Sequence, residues 1–262
     1  MHAEAETGQV LMLNKLAGDL SDNSRHLLDP DTLDANLIIG FEQMNERVHP
    51  FFVLRSQLLK HMRTTGMRIF AVTSVQPGNG KTHIAVNLAA AVSRIHPTIL
   101  VELDLRRPSI GQRLGLPEWP AGVEDYLAGD KAWADTSLRI HGYNLAVHRV
   151  RQARVNAEDL LASSHLTDMI ETIRGAEGDP ICIIDTPPAL VHDDLMLIAR
   201  AIDGVLMVVE EARTRKRALL DTVNSLSPTP VVGSILNMSI SSPRAGGEYG
   251  YGSYNPPARS PD

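Results

Sequence analysis

The sequence predicts an α/β fold, a mostly parallel sheet flanked by helices on both faces. Three observations predict it. Aliphatic runs at 67–72, 98–101, 180–184, 204–209 and 230–236 alternate with segments of helical period. Hydrophobic residues make up 43% of the 262 but aromatics only 4%, which suits the aliphatic core of a sheet covered on both sides. The first aliphatic run also enters a glycine loop that opens directly into a helix-like segment.

Charge and cysteine usage exclude several functional classes. The formal net charge is −6, so the chain as a whole is not a nucleic-acid binder by electrostatics. Cys182 is the single cysteine, which rules out an internal disulfide; its place inside an apolar run reads as a packed core thiol in a reducing compartment. No apolar run approaches the length of a membrane span, and the acidic N-terminus lacks the long apolar stretch of a secretory leader. A cytoplasmic protein is expected.

Residues 1–45 are mixed and polar without a clear period, and are expected to form a partly ordered N-terminal arm with no chemistry of its own. Within it, Val10 to Leu13 with Leu16 suits a short helix, and Asp29-Pro30-Asp31 marks a break. Residues 46–62 read as an amphipathic helix. Phe51, Phe52, Leu54, Leu58, Leu59 and Met62 fall mostly on one face, Arg55, Lys60 and Arg63 lie off it, and Pro50 suits the first turn. Such a helix either packs on the sheet or forms a subunit interface.

The run Met67 to Val72 leads into Thr73-Ser74-Val75-Gln76-Pro77-Gly78-Asn79-Gly80-Lys81-Thr82, and a helical segment from His83 to Ser93 leads out. Strand, glycine loop and helix in that order make a phosphate-binding loop. Gly78 and Gly80 let the backbone approach a phosphate and turn its N–H groups toward it, and the helix N-terminus adds further donors. Lys81 reaches the β and γ phosphates, and the Thr82 hydroxyl can ligate Mg²⁺. Val75 stands where the usual spacing has a first glycine, so the match rests on Gly80-Lys81-Thr82.

The second run, Thr98 to Val101, ends in Glu102-Leu103-Asp104-Leu105-Arg106-Arg107-Pro108. Carboxylates at the end of a buried strand are costly without partners, and open α/β sheets bind ligands beyond the carboxyl ends of their strands. Glu102 and Asp104 alternate, so an extended segment places both on one side, facing a metal and an incoming hydroxyl. The alternative is a salt bridge to Arg106 or Arg107. Gly122 to Leu127 reads as a short helix and Asn144 to Val150 as a strand. Asn156 then caps a helix with an acidic first turn that closes near Gly175.

The third run ends in Asp185-Thr186-Pro187-Pro188. One acid at the tip of a hydrophobic strand, following a phosphate loop, matches a Walker B aspartate that holds Mg²⁺ directly or through water. Helices at 192–202 and 214–226 flank the strand 204–209; Arg213, Arg215, Lys216 and Arg217 near the start of the second read as a solvated face rather than as a site for an acidic partner. The last strand ends at Asn237. From Ser241 the composition turns to Gly, Ser, Pro and Arg, and residues 241–262 are expected to be disordered. Tyr249, Tyr251 and Tyr254, alternating with glycines, form either a low-complexity sticky tail or a set of exposed hydroxyl acceptors. About 20 flexible residues have an r.m.s. span of roughly 25 Å, so length alone does not separate transfer within a chain from transfer between chains.

Together these landmarks resemble the bacterial tyrosine kinases of capsule and exopolysaccharide synthesis, from about residue 45 to the C-terminus. The tail is most similar to that of autokinases associated with exosortase-linked exopolysaccharide loci. The resemblance implies a P-loop NTPase domain over 46–240. ATP–Mg²⁺ would be held by Pro77, Gly78, Asn79, Gly80, Lys81, Thr82 and Asn237, with Thr82, Asp104 and Asp185 as the metal shell. Lys81, Glu102, Asp104 and Asp185 would carry catalysis, Glu102 orienting or deprotonating the hydroxyl. Phosphate would go to Tyr249, Tyr251 and Tyr254, mostly between subunits of a ring that phosphorylation breaks. The family also implies a membrane activator of the chain-length-determinant type that holds the kinase at the inner membrane, and a tyrosine phosphatase.

Two positions depart from the family. Glu102 stands where it has the first aspartate of Asp-x-Asp-x-Arg, one methylene longer. His49, Phe52 and Arg55 stand where its ring helix has Glu-x-x-Arg-x-x-Arg. One rival, a partitioning or cell-positioning ATPase of the same fold, would carry a lysine at Gln76 and lack a tyrosine tail. Another is a nucleotide-gated scaffold of the polysaccharide export complex with weak or no kinase activity.

Overall fold

A computed structural model describes residues 25–239. The first half contains β1 (Arg25–His26), α1 (Pro30–Ala35), α2 (His49–Thr65), β2 (Ile69–Ser74), α3 (Lys81–Ser93), β3 (Thr98–Glu102), α4 (Ile110–Arg113) and α5 (Val123–Leu127). The second contains β4 (Ser137–Ile140), β5 (Leu145–His148), α6 (Ala157–Leu161), α7 (Ser164–Arg174), β6 (Ile181–Asp185), α8 (Asp194–Ala199), β7 (Gly204–Glu210), α9 (Lys216–Ser225) and β8 (Val231–Asn237). The helix expected near Val10 and the tail with Tyr249, Tyr251 and Tyr254 lie outside the described residues. Among the described residues, no helix is long and apolar enough to cross a membrane.

One eight-stranded sheet runs β1-β4-β5-β3-β6-β2-β7-β8, parallel throughout except for the antiparallel pair β4–β5. The expected mostly parallel sheet is therefore present. β2, β3 and β6 are buried at every position, which is why they read as continuous aliphatic runs rather than alternating ones. Their side chains divide by the two-residue period. Phe70, Val72, Leu100 and Ile183 join the core beneath α2 and α3. Ile69, Ala71, Ile99, Val101, Cys182 and Ile184 join the core beneath α7 and α8. Cys182 is fully buried and burial pushes its thiol up, so it is an inert packing group.

Residues 25–45 belong to the domain, which moves the expected boundary at 45 toward the N-terminus. β1 extends the sheet beside β4, and the supposed break at Asp29-Pro30-Asp31 is a helix start. Asp29 caps α1, accepting the Thr32 N–H at 3.0 Å. Ile38, Ile39 and Phe41 are buried, but in a turn-rich segment without a regular period, so no periodic signal announces them. Long-range side-chain bonds fix this segment, with Arg94 and Tyr143 donating to the Phe41 carbonyl at 2.6 and 3.3 Å. Asn87, buried in α3, accepts the Ile39 and Gly40 N–H groups at 2.7 and 2.8 Å. Gly40 lies so close that a Cβ there would collide with the Asn87 carbonyl.

Other differences are local. The segment expected as one helix from Asn156 to Gly175 divides into α6 and α7, and Asn156 makes no side-chain capping bond. α2 packs on α3, and Arg55, the one arginine retained from the ring motif, turns inward. Its guanidinium lies 4.2 Å from the Phe52 ring centroid and donates to the Ala91 carbonyl at 3.3 Å.

His148, at the end of β5, is fully buried. It stacks on Trp133 with ring centroids 3.8 Å apart and shares a 2.7 Å hydrogen bond with the Thr136 hydroxyl. Burial pulls its pKa down to about 3. Between about 3 and the ordinary value of 6.5 the unfolded chain binds the extra proton, so this contribution to stability is full above 6.5 and lost as pH falls through the window. The expected slope is about 1.4 kcal/mol per pH unit. Urea unfolding of wild type and His148→Gln at several pH values should show the two stabilities converging as pH falls. Parallel curves would contradict the assignment.

Candidate functional site

The carboxyl ends of β2, β6 and β3 lie side by side because the strands are parallel and in register. Asp185 pairs with Val72 on one side and with Glu102 on the other. The phosphate-loop strand and the two acid-tipped strands, distant in sequence, thus end at one edge.

The loop between β2 and α3 has the expected form. Gly78 and Gly80 both have φ of +86°, a region that side chains rarely tolerate, and Gly80 leads directly into α3 at Lys81. Pro77 is exposed at the tip. Asn79 is buried and braces the loop: its Oδ1 accepts the Gln76 N–H at 3.3 Å, and its Nδ2 donates to Glu210 at 2.6 Å.

Lys81 is the electrostatic centre. Its Nζ donates to Asp104 Oδ2 at 2.7 Å and lies 3.7 Å from Asp185 Oδ1. Burial alone pulls the ammonium down, but Asp185 and Asp104 outweigh it and hold the pKa above the ordinary lysine value. Thr82 donates its hydroxyl to Asp185 Oδ2 at 2.7 Å. Asp185 Oδ1 makes no hydrogen bond although it is fully buried, and burial raises the Asp185 pKa against the pull of Lys81 and Thr82. A buried carboxylate oxygen left open beside a threonine hydroxyl and a second carboxylate is a donor set for a hard divalent cation such as Mg²⁺. The residues present fit that ion.

Glu102 does not join this group. Alternation along an extended strand would place it beside Asp104, but β3 ends at Glu102 and Asp104 lies beyond it, so no strand holds the two on one side. Oε1 accepts the Ser109 and Ile110 N–H groups at 2.5 and 2.8 Å, and Oε2 accepts the Val150 N–H at 3.0 Å. The carboxylate is buried, and burial pushes its pKa up to about 7. The expectation that it faces the metal and the acceptor is thus corrected, and it has no bond to Arg106 or Arg107 either. Arg106 instead pairs with Asp194 at 2.8 Å.

Asn237, expected to hold the nucleotide, reaches the loop. Its Nδ2 donates to the Asn79 carbonyl at 2.9 Å and presses on Gly80, where a Cβ would collide with it. Arg213, read as part of a solvated face, lies over Gly78 and pairs with Glu210 at 3.1 Å. A cavity of about 460 Å³ opens on the loop. Gly78, Gly80, Lys81, Thr82 and Asn237 line it, together with residues sequence reasoning missed: Asn36, Leu37, His83, Arg113 and Met238. Nothing in the sequence marks these. Asn36 and Leu37 come from a segment without period, Arg113 from a four-residue helix and Met238 from just past the last strand, while His83 follows Thr82 in α3.

No family model matches the chain. Among curated proteins it is 33% identical over 179 residues to the succinoglycan biosynthesis transport protein ExoP of Rhizobium meliloti (strain 1021). That match spans 65% of this chain but only 22% of the relative. It is 31% identical over 181 residues to the tyrosine-protein kinase CpsD of Streptococcus pneumoniae serotype 4, covering 65% of this chain and 76% of that one. Among solved structures, the kinase domain of VpsO superposes with a TM-score of 0.65 at 26% identity, over 73% of this chain and 95% of that one.

Proposed function

The chain belongs to the CpsD-type bacterial tyrosine kinases, and on that premise we propose that it is an ATP-dependent autokinase that phosphorylates Tyr249, Tyr251 and Tyr254 of its own C-terminal segment. Through this it regulates the synthesis and export of an exopolysaccharide or capsule. The observation that carries the reading is the buried group of Lys81, Thr82, Asp104 and Asp185, with its one open carboxylate oxygen.

The N–H groups of the loop and of the α3 N-terminus bind the phosphates, and Lys81 neutralises charge that develops on the transferred group. Thr82, Asp104 and Asp185 would hold Mg²⁺, which would supply electrostatic stabilisation of the phosphates. A tyrosine oxygen forms its bond to the γ-phosphorus as the bond to the β–γ bridging oxygen breaks. ADP leaves, and the phenolic proton is released. In a loose transition state, positioning and charge neutralisation do most of this work. Gln76, standing where a partitioning ATPase would carry a lysine, supports the kinase over that rival.

β8 ends at Asn237, a lining residue of the loop cavity, so the last described residues lie at the loop where the nucleotide would bind. Each phosphate added there contributes about −1.5 to −2 charges, enough to change how the tail docks on basic surfaces. A membrane activator of the chain-length-determinant type, a tyrosine phosphatase and a self-association that phosphorylation reverses belong to the same proposal. So does a cytoplasmic site at the inner membrane, held through the activator. Since α2 turns Arg55 inward, any such assembly uses other contacts than the family's arginine pair.

Incubation with ATP–Mg²⁺ and probing for phosphotyrosine tests the acceptor. Wild type should label, and a chain with Tyr249, Tyr251 and Tyr254 all changed to Phe should not, while binding ATP equally. Label retained by the triple variant would refute the tail as acceptor. Phosphate on a Lys81→Met chain mixed with wild type would mark transfer between copies.

A further inference from the structure

We infer that Arg113 is a second cation for the phosphate chain of the bound nucleotide, carried to the loop by α4 and held there by Glu102. The inference rests on the nucleotide reading above and assigns a residue that neither the loop nor the acidic motifs contain.

Arg113 is the last residue of α4 and lines the loop cavity with Gly78, Gly80, Lys81 and Thr82. Its side chain forms no hydrogen bond or ion pair among the described residues, and its Nε is buried without a partner. The side chain is half-buried, its guanidinium cannot lose its charge, and the buried Nε–H lacks an acceptor. The other cations at the loop are already matched. Lys81 has Asp104 at 2.7 Å and Asp185 at 3.7 Å; Arg213, over Gly78, has Glu210 at 3.1 Å. A nucleoside triphosphate remains anionic even with one divalent cation bound. Arg113 is the positive charge in the cavity left for it, and planar guanidinium groups match phosphate oxygens in bidentate pairs.

The way α4 is held supports this placement. A four-residue helix has little stability of its own. Here the N–H groups of its cap residue Ser109 and of its first residue Ile110 are fixed by the Glu102 carboxylate, which also ties down Val150 after β5. Arg149 presses on α4 from the other side, where Gly111 alone leaves room. Glu102 is thus a positioning residue: it points α4, and α4 points Arg113.

Calorimetric titration of the full chain with ATP–Mg²⁺ and with ADP–Mg²⁺ tests the inference, alongside melting of each variant without nucleotide. Arg113→Gln should weaken ATP binding by about tenfold or more, as expected for a lost hydrogen bond to a charged group. Arg113→Lys should recover part of the loss, and both variants should melt with wild type. Unchanged ATP affinity in Arg113→Gln would overturn the inference while leaving the kinase reading intact. Equal losses in both variants together with lowered melting would also overturn it, marking a structural residue. A wild-type chain that binds no ATP would overturn the nucleotide reading and this inference with it.

Discussion

Lys81→Met is expected to reduce tyrosine phosphorylation of the tail by about a thousandfold, to the level of background. The ammonium is buried at the centre of the site, 2.7 Å from Asp104 and 3.7 Å from Asp185. Methionine has similar length but no charge. Its presence would leave two buried carboxylates facing each other and the incoming phosphates, so the site would repel what it now attracts. The same imbalance costs stability, roughly 3 kcal/mol where a buried pair is broken by removing one partner. Circular dichroism must therefore accompany the phosphotyrosine assay, and Mg²⁺ should restore part of the stability. A folded Lys81→Met chain whose tail is phosphorylated at the wild-type rate would refute the role given to the lysine.

Glu102→Gln separates two roles for the acidic residue at the end of β3. As a catalytic base, Glu102 could be replaced by the isosteric amide with little change in folding or in ATP affinity, and only phosphoryl transfer would fail. As the anchor of α4, it cannot. Glutamine offers one oxygen to the Ser109 and Ile110 N–H groups and turns its NH₂ toward the Val150 N–H, donor against donor. A buried N–H left without an acceptor costs about 1–3 kcal/mol. The expected result is lowered stability together with weakened ATP binding, because Arg113 moves with α4. Wild-type stability and affinity with transfer abolished would return Glu102 to the base role.

Much of this site is legible in the sequence, and the reason is physical. Phosphate binding needs glycines at positive φ, and Gly78 and Gly80 have it. A parallel sheet brings acid-tipped strands to one edge, and Asp104 and Asp185 both meet Lys81 there. Asn237 also reaches the loop from the last strand. What the sequence misstates is orientation. Alternation puts Glu102 beside Asp104 only while the strand continues, and the strand stops at Glu102. What it omits are residues brought in by long-range packing. Ile38, Ile39 and Phe41 are core residues without a period, set by long-range bonds from Asn87, Arg94 and Tyr143 rather than by local pattern. Arg213 reads as part of a solvated face and Arg113 carries no sequence signal until the fold places them at the loop.

Tandem mass spectrometry of the C-terminal peptide tests the central claim most directly. The purified chain is incubated with ATP–Mg²⁺, alone and with the cytosolic segment of a candidate membrane activator. The account predicts phosphate on Tyr249, Tyr251 or Tyr254. An unmodified tail in both conditions, from a chain that binds ATP, would contradict it and would identify a nucleotide-gated scaffold in place of a kinase.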